Sequence, residues 1–192
     1  MAMTGVPVDS AAPQPAPLPP HLPTSPEQLL ARLAELAIPV TTHRHPPVHT
    51  VEENRALRGA LPGGHCKSLF LKDRKARLWL LVALEDAVVD LNRLHGPIGS
   101  ARLSFGSPGL LWQTLGVRPG SVTPFALVND RTQSVSVVLH RQMMDHTLLN
   151  YHPLENDRTT TIRADDLLRF IAACGHQPQF VDLADAHQPA TL

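Results

Sequence analysis

Two apolar segments separated by a short charged turn constrain this chain more than any other feature. CKSLFLK (66–72) and RLWLLVAL (77–84) flank Asp73-Arg74-Lys75. Both are rich in residues that suit a pleated, half-buried surface, and the residues between them are polar. The pair predicts a β-hairpin, so the fold must contain a sheet.

Helical signals lie on both sides of that hairpin. Ser25-Pro26-Glu27-Gln28 reads as an N-cap, a proline at the first helical position and a glutamine three residues after the cap. Leu29, Leu33, Leu36 and Ala37 then recur at helical spacing, and Pro39 ends the run. VTTHRH (40–45) predicts a short strand. Thr50-Val51-Glu52-Glu53 is a second capping box, opening a helix that fades near Gly59. A short helix is expected over Asp90 to Leu94, ending near Gly96-Pro97. ARLSF (101–105) reads as a strand. Ser107-Pro108 starts a helix through Leu110, Leu111 and Leu115, with Gly116 as its stop.

SVSVVLH, TLLNYH and TTTIR are further strands. An amphipathic helix runs through Leu167, Leu168, Phe170 and Ile171 to Gly175, and QFVDL is a late edge strand. Strands and helices mix without strict βαβ alternation. The expected class is α/β (α+β), with a mixed, mainly antiparallel sheet flanked by helices.

Residues 1–25 are dominated by Pro and Ala and are expected to stay extended or disordered. The folded domain is expected over 26–183, with 184–192 as a C-terminal tail. Lys plus Arg equals Asp plus Glu at 17 each, so no net field draws nucleic acid. No apolar run approaches the ~20 residues of a membrane span, and MAMTGVPVDS lacks the basic start and apolar block of a secretory signal. Two cysteines do not make a disulfide framework, and a reducing cytoplasm is expected.

PGSVTPFALVND (119–130) passes abruptly from turn-formers to apolar residues. Gly120 allows a close backbone approach and Pro124 stiffens the far end. Between them lie Ser121, Val122 and Thr123. The backbone N–H groups of such a loop can face a ligand oxygen, as in an oxyanion hole. From spacing alone the favoured reading is an ordinary Pro-Gly turn into a buried strand at Phe125, Ala126 and Leu127, since Gly and Pro are the usual turn residues.

Lys67 follows Gly63-Gly64 at the mouth of an apolar strand, where its ammonium can hold a phosphate or polarise a carbonyl, or simply rest in water. His152 stands where a strand meets Pro153, suited to bind substrate or a backbone group. Asn129, Asn150 and Asn156 fit turns equally well. His43, His45 and His49 lie close together, but Pro46-Pro47 splits them and no Cys, Asp or Glu completes a ligand spacing, so no metal site is expected. Cys66 reads as an apolar filler. Between residues 52 and 77, Arg55, Arg58, Lys67, Lys72, Arg74, Lys75 and Arg77 face Glu52, Glu53 and Asp73, a basic excess that suits a phosphate backbone or a solvated face.

Taken together, GGHCKSLFLKD, LSFGS, LGVRPGSVTPFALVND and HPLEN…DLLRF resemble the free-standing prolyl-tRNA-synthetase-associated editing proteins of the YbaK-type superfamily. They are most similar to its alanyl-tRNA(Pro) deacylase branch. The resemblance covers residues 26 to 183. It implies hydrolysis of alanine wrongly attached to proline tRNA, without metal or organic cofactor. The implied partner is the acceptor end of that tRNA, with transient association with prolyl-tRNA synthetase. Lys67, Gly120 and His152 match the family's motif residues, and the Gly120–Pro124 loop matches its Gly-x-x-x-Pro loop. Ser68 stands where relatives usually carry Asn, and Gly106 where Ala is common. A deacylase for serine or cysteine, or a tRNA- or synthetase-binding module without hydrolysis, are the alternatives.

Overall fold

The structure is a computed structural model, and it describes residues 23–45 and 61–185. The second capping box, Arg55 and Arg58 lie outside the described residues, as do His49 and most of the Pro/Ala-rich tail.

Helix α1 spans Pro26–Glu35. Its capping box is reciprocal: the Ser25 hydroxyl accepts from Gln28 N–H at 3.2 Å, and Ser25 N–H donates to the Gln28 side chain at 2.9 Å. Leu36 and Ala37 were expected inside this helix but lie past its end. Ala37 turns left-handed at φ 51°, and Ile38 N–H reaches back to Leu33 O at 2.9 Å, which closes the last turn early.

Strands β1 (Val40–Arg44), β2 (Gly64–Asp73), β3 (Leu78–Leu84), β5 (Leu103–Phe105), β6 (Val135–His140), β7 (Leu148–Tyr151), β8 (Arg158–Arg163) and β9 (Gln179–Val181) form one sheet, while β4 (Ala87–Val88) pairs with β10 (Ala184–Asp185). The order is β1-β8-β7-β2-β3-β6-β9, with β5 beside the second half of β2. The expected hairpin is β2–β3, in register from Cys66↔Leu84 to Lys72↔Leu78. Pairings β1–β8, β7–β8, β2–β3 and β2–β5 are antiparallel; β2–β7, β3–β6 and β6–β9 are parallel. The sheet is therefore mixed and mainly antiparallel, with β9 at an edge as expected.

Helices cover both faces. On one, α1 packs with α3 (Pro108–Leu115) and α4 (Ala164–Ala173) over Leu80, Val82, Val137 and Leu139. On the other, Leu94 and Ile98 of α2 (Leu91–Ile98) meet Leu71, Trp79 and Leu81. Helix α2 continues through Gly96-Pro97 to Ile98 instead of stopping before them. Gly99, at φ 68°, is the actual stop: its N–H bonds Gly96 O, and Ser100 N–H bonds His95 O. Ser107 and Gly116 cap α3 as expected.

Phe125, Ala126 and Leu127 are buried, but not as a strand. They lie in a 3-10 helix, Pro124–Asn129, with Thr123 as its cap. Pro124 supplies no N–H and has its φ preset for a helical first turn, so the apolar run coils instead of joining the sheet. Asn129 staples this segment: its side-chain amide donates to Leu115 O at 2.8 Å and its carbonyl accepts from Thr24 N–H at 3.0 Å.

Gly106 has a local reason. A Cβ there would overlap the edge of the Phe70 ring, which is buried in the core. Gly106→Ala is expected to destabilise the protein by about 1–3 kcal/mol as that ring shifts. Thermal unfolding checks this; an unchanged midpoint would contradict it.

Candidate active site

The Gly120–Pro124 loop begins as a β-turn. Arg118 O accepts from Ser121 N–H at 3.0 Å, and Gly120 has φ 89°. Proline then glycine at the two central positions, with positive φ on the second, is type II geometry. Ser121 N–H is consumed by that turn. The N–H groups of Gly120, Val122 and Thr123 have no hydrogen-bond partner among the described residues. Thr123 is fully buried, which makes its unpaired N–H unusual. Its hydroxyl accepts from Phe125 N–H at 3.3 Å. Directly behind, Phe125 packs edge-on against Tyr151 and Phe170, with ring centroids 5.8 and 5.5 Å away. The donors thus stand on core, not on a mobile loop.

The facing wall is the segment between β7 and β8. His152, half-buried, places Nδ1 3.0 Å from Arg158 O. A carbonyl only accepts, so Nδ1 carries the proton, and in the neutral ring Nε2 keeps the lone pair. The His45 ring lies 6.2 Å away. Leu154 is buried at φ 73°, strained for a leucine, and its N–H bonds His152 O at 3.0 Å.

Beneath this wall lies Arg158, 8 % exposed in its side chain and ion-paired with Asp157 at 2.7 Å, Glu27 at 2.9 Å and Glu155 at 3.6 Å. It ties the wall to α1. The Arg158 guanidinium holds the Asp157 carboxyl below its usual range.

Strands β2 and β7 pair in parallel only at Gly64↔Leu149 and His65↔Asn150. Past that point the ladder ends, with Cys66, Lys67 and Ser68 continuing β2 and Tyr151 and His152 leaving β7. Lys67 sits opposite Ala83 and Ser68 opposite Val82, so the two point to opposite faces. Val82 belongs to the core that Phe125, Ala126 and Leu127 join. Ser68 is therefore the member of the pair on the loop's side. The Lys67 ammonium donates to Glu85 O at 2.8 Å and to Ala87 O, clamping the turn between β3 and β4. One of its three N–H groups remains for a ligand.

A cleft of about 570 Å³ opens between the two walls, lined by Trp112, Arg118, Ser121, Leu154 and Asn156, among others. Of the candidate residues anticipated from sequence, Ser121 and Asn156 line it; Lys67, Ser68, Gly120, Val122, Thr123, Pro124 and His152 do not. Leu154, Trp112 and Arg118 were not anticipated. A leucine gives no sign of positive φ, and a tryptophan at helical spacing reads as core.

Neither cysteine is activated. Burial pushes the Cys66 thiol up to about 12, against an opposing pull from Tyr151, and burial also raises Cys174 to about 11. No cluster of three or more His, Cys, Asp or Glu suited to a metal occurs among the described residues. Iodoacetamide at neutral pH is expected to leave hydrolysis intact, because almost no thiolate is present. Rapid loss of activity on alkylation would contradict this.

The loop thus sets backbone donors without partners among the described residues on a buried base, across the cleft from the wall between β7 and β8. A family model for the aminoacyl-tRNA editing domain matches residues 45–170. The chain is 34 % identical over 158 residues to the prolyl-tRNA editing protein ProX of Acetoanaerobium sticklandii, covering 82 % of this chain and 96 % of that one. It is 39 % identical over 148 residues to the prolyl-tRNA synthetase associated domain-containing protein 1 of Danio rerio, covering 76 % and 80 %. A crystal structure described as a trans-editing enzyme for prolyl tRNA synthetase superposes with a TM-score of 0.64 at 18 % identity, covering 83 % and 96 % of the two chains. The chain belongs to the aminoacyl-tRNA editing domain family; it is an aminoacyl-tRNA deacylase.

Proposed function

We propose that this protein removes alanine from mischarged alanyl-tRNA(Pro), acting in trans on the acceptor end in the cytoplasm. The observation that carries the reading is the pair of unpaired N–H groups at Gly120 and Val122, outside the buried Thr123–Leu127 base. Water attacks the ester carbonyl carbon, and these donors stabilise the oxyanion that forms. The bond to the terminal ribose oxygen then breaks, and that oxygen takes up a proton. A ribose hydroxyl positions the water, as the resemblance implies. Ser68 supplies a hydroxyl on the loop's side of β2, in place of the usual amide. His152, with Nδ1 committed to Arg158 O, presents Nε2 as an acceptor that orients the adenosine. Lys67 lies on the opposite face of β2 and outside the cleft, and its remaining N–H meets the terminal phosphate where the β2–β7 ladder has ended.

Lys72, Arg74 and Lys75 are exposed at the end of the hairpin, suited to the phosphates of the acceptor stem. The ester is intrinsically activated, so modest assistance suffices. Selectivity is by size: a synthetase pocket built for proline cannot strongly reject alanine, since a few methylenes are worth only about 1–3 kcal/mol, and a smaller second pocket completes the sieve. Transient association with prolyl-tRNA synthetase would hand over the substrate.

Lys67→Ala is expected to slow single-turnover deacylation about tenfold or more, the loss of one charge-assisted hydrogen bond. An unchanged rate removes Lys67 from the site. The substrate assignment is tested on tRNA(Pro) charged with alanine, serine or cysteine. Alanine is expected to be released fastest; preferential release of serine or cysteine overturns the alanyl reading.

A further inference from the structure

The ester on any aminoacyl-tRNA is carried by the ribose of the 3′-terminal adenosine. Its adenine therefore lies one sugar away from the reacting carbonyl. Whatever holds the ester at Gly120–Pro124 must leave a place beside it for a purine.

One side of the loop offers such a place. Ser121 belongs to the loop and also lines the cleft of about 570 Å³. That volume suits a nucleoside. On the same rim the Arg118 guanidinium lies over the Trp112 ring, 4.9 Å from its centroid. Arg118 is exposed and makes no ion pair with any described residue, so its outer face is open to a stacked base. Across the cleft, the half-buried Asn156 side chain has no hydrogen-bond partner among the described residues. An asparagine amide matches adenine N6 and N7 in a bidentate pair. Glu155 and Asp157, also in the lining, are turned to Arg158. Their charge disfavours a phosphate here but not a neutral base.

We propose that this cleft is the subsite for the terminal adenine, with Arg118 stacked on Trp112 as its platform and Asn156 reading its Hoogsteen edge. The proposal rests on the deacylase reading and names where its substrate's base sits.

The test uses the full chain and 3′-alanylamido-3′-deoxyadenosine, in which an amide replaces the ester, with the matching purine riboside lacking N6 as a second probe. The chain has two tryptophans, and Trp79 is 3 % exposed on the other face of the sheet. Saturable quenching by the adenosine probe is expected, and it should vanish in Trp112→Phe, which keeps an aromatic in place. Arg118→Ala should weaken both probes about tenfold, as expected for loss of a stacking partner. Asn156→Ala should weaken the adenosine probe more than the purine riboside, which keeps N7 but lacks the N6 amino group. If wild type and all three variants bind both probes alike by calorimetry, the assignment is overturned. Should the protein hydrolyse aminoacyl-tRNA while those variants bind as wild type, only the adenine subsite fails. Should it hydrolyse no aminoacyl-tRNA and bind neither probe, the deacylase reading fails with it.

Discussion

Gly120→Val is expected to reduce single-turnover deacylation by about two to three orders of magnitude, the usual cost of losing an oxyanion donor. Gly120 sits at φ 89°, in the left-handed region, and a Cβ there meets nothing within 4 Å. The substitution is therefore sterically open but conformationally strained. A β-branched residue must drag φ back toward negative values, which undoes the Pro119-Gly120 turn. The N–H groups of Gly120 and Val122 then swing away from the ester. The buried base at Phe125 and Leu127 is untouched, so stability should fall by only about 1–2 kcal/mol. Ser121→Ala is the control, since it keeps the backbone and should be mild. A folded Gly120→Val enzyme working at the parent rate would reduce PGSVTPFALVND to a turn into the core.

The largest stability effect is expected at Asp73, far from the cleft. Its buried carboxylate accepts from Lys75 N–H at 2.8 Å, Arg77 N–H at 3.0 Å, Ala101 N–H at 3.1 Å and the Arg77 side chain at 2.8 Å. Burial pushes this carboxyl upward, but the donors from Ala101, Arg77 and Lys75 outweigh it and hold it at about 2. Asp73→Ala leaves three backbone donors without their acceptor and should cost about 3 kcal/mol or more. For a domain of this size that is a fall in Tm of about 6–12 °C.

The sign of the pH dependence follows from the depressed value. The unfolded carboxyl titrates near ~3.9, so Asp73 stabilises the fold fully above that range. Its contribution is lost as pH falls from about 4 towards about 2. Wild type should lose stability steeply there, and Asp73→Ala less steeply. Parallel acid-denaturation curves would contradict the assignment.

Much of this fold is legible because its signals are local. Ser25 with Gln28, Ser107 with Pro108, and Gly116 each act within one helical turn. The β2–β3 hairpin is written in two apolar runs around Asp73. Ala37, Ala76 and Leu154 all adopt positive φ without being glycine, and nothing in their side chains announces it. The run at Phe125–Leu127 is short and apolar, a pattern shared by buried strands and buried coils. The parallel contact of β2 with β7 joins residues far apart in the chain, beyond any local signal. In the site, Gly120, Pro124 and His152 stood out as turn chemistry beside apolar runs. The stacking of Trp112 with Arg118 did not, because it depends on how the chain reverses after Gly116. Nor did the opposite facing of Lys67 and Ser68, which needed the register of the hairpin.

The central claim is a backbone-assisted deacylase that admits alanine and rejects proline. The direct measurement is a single-turnover time course with alanyl-tRNA(Pro) and prolyl-tRNA(Pro) side by side, each corrected for spontaneous hydrolysis. The account predicts fast loss of the alanyl ester and a prolyl ester that decays at the spontaneous rate. Equal hydrolysis of both, or of neither, would contradict it.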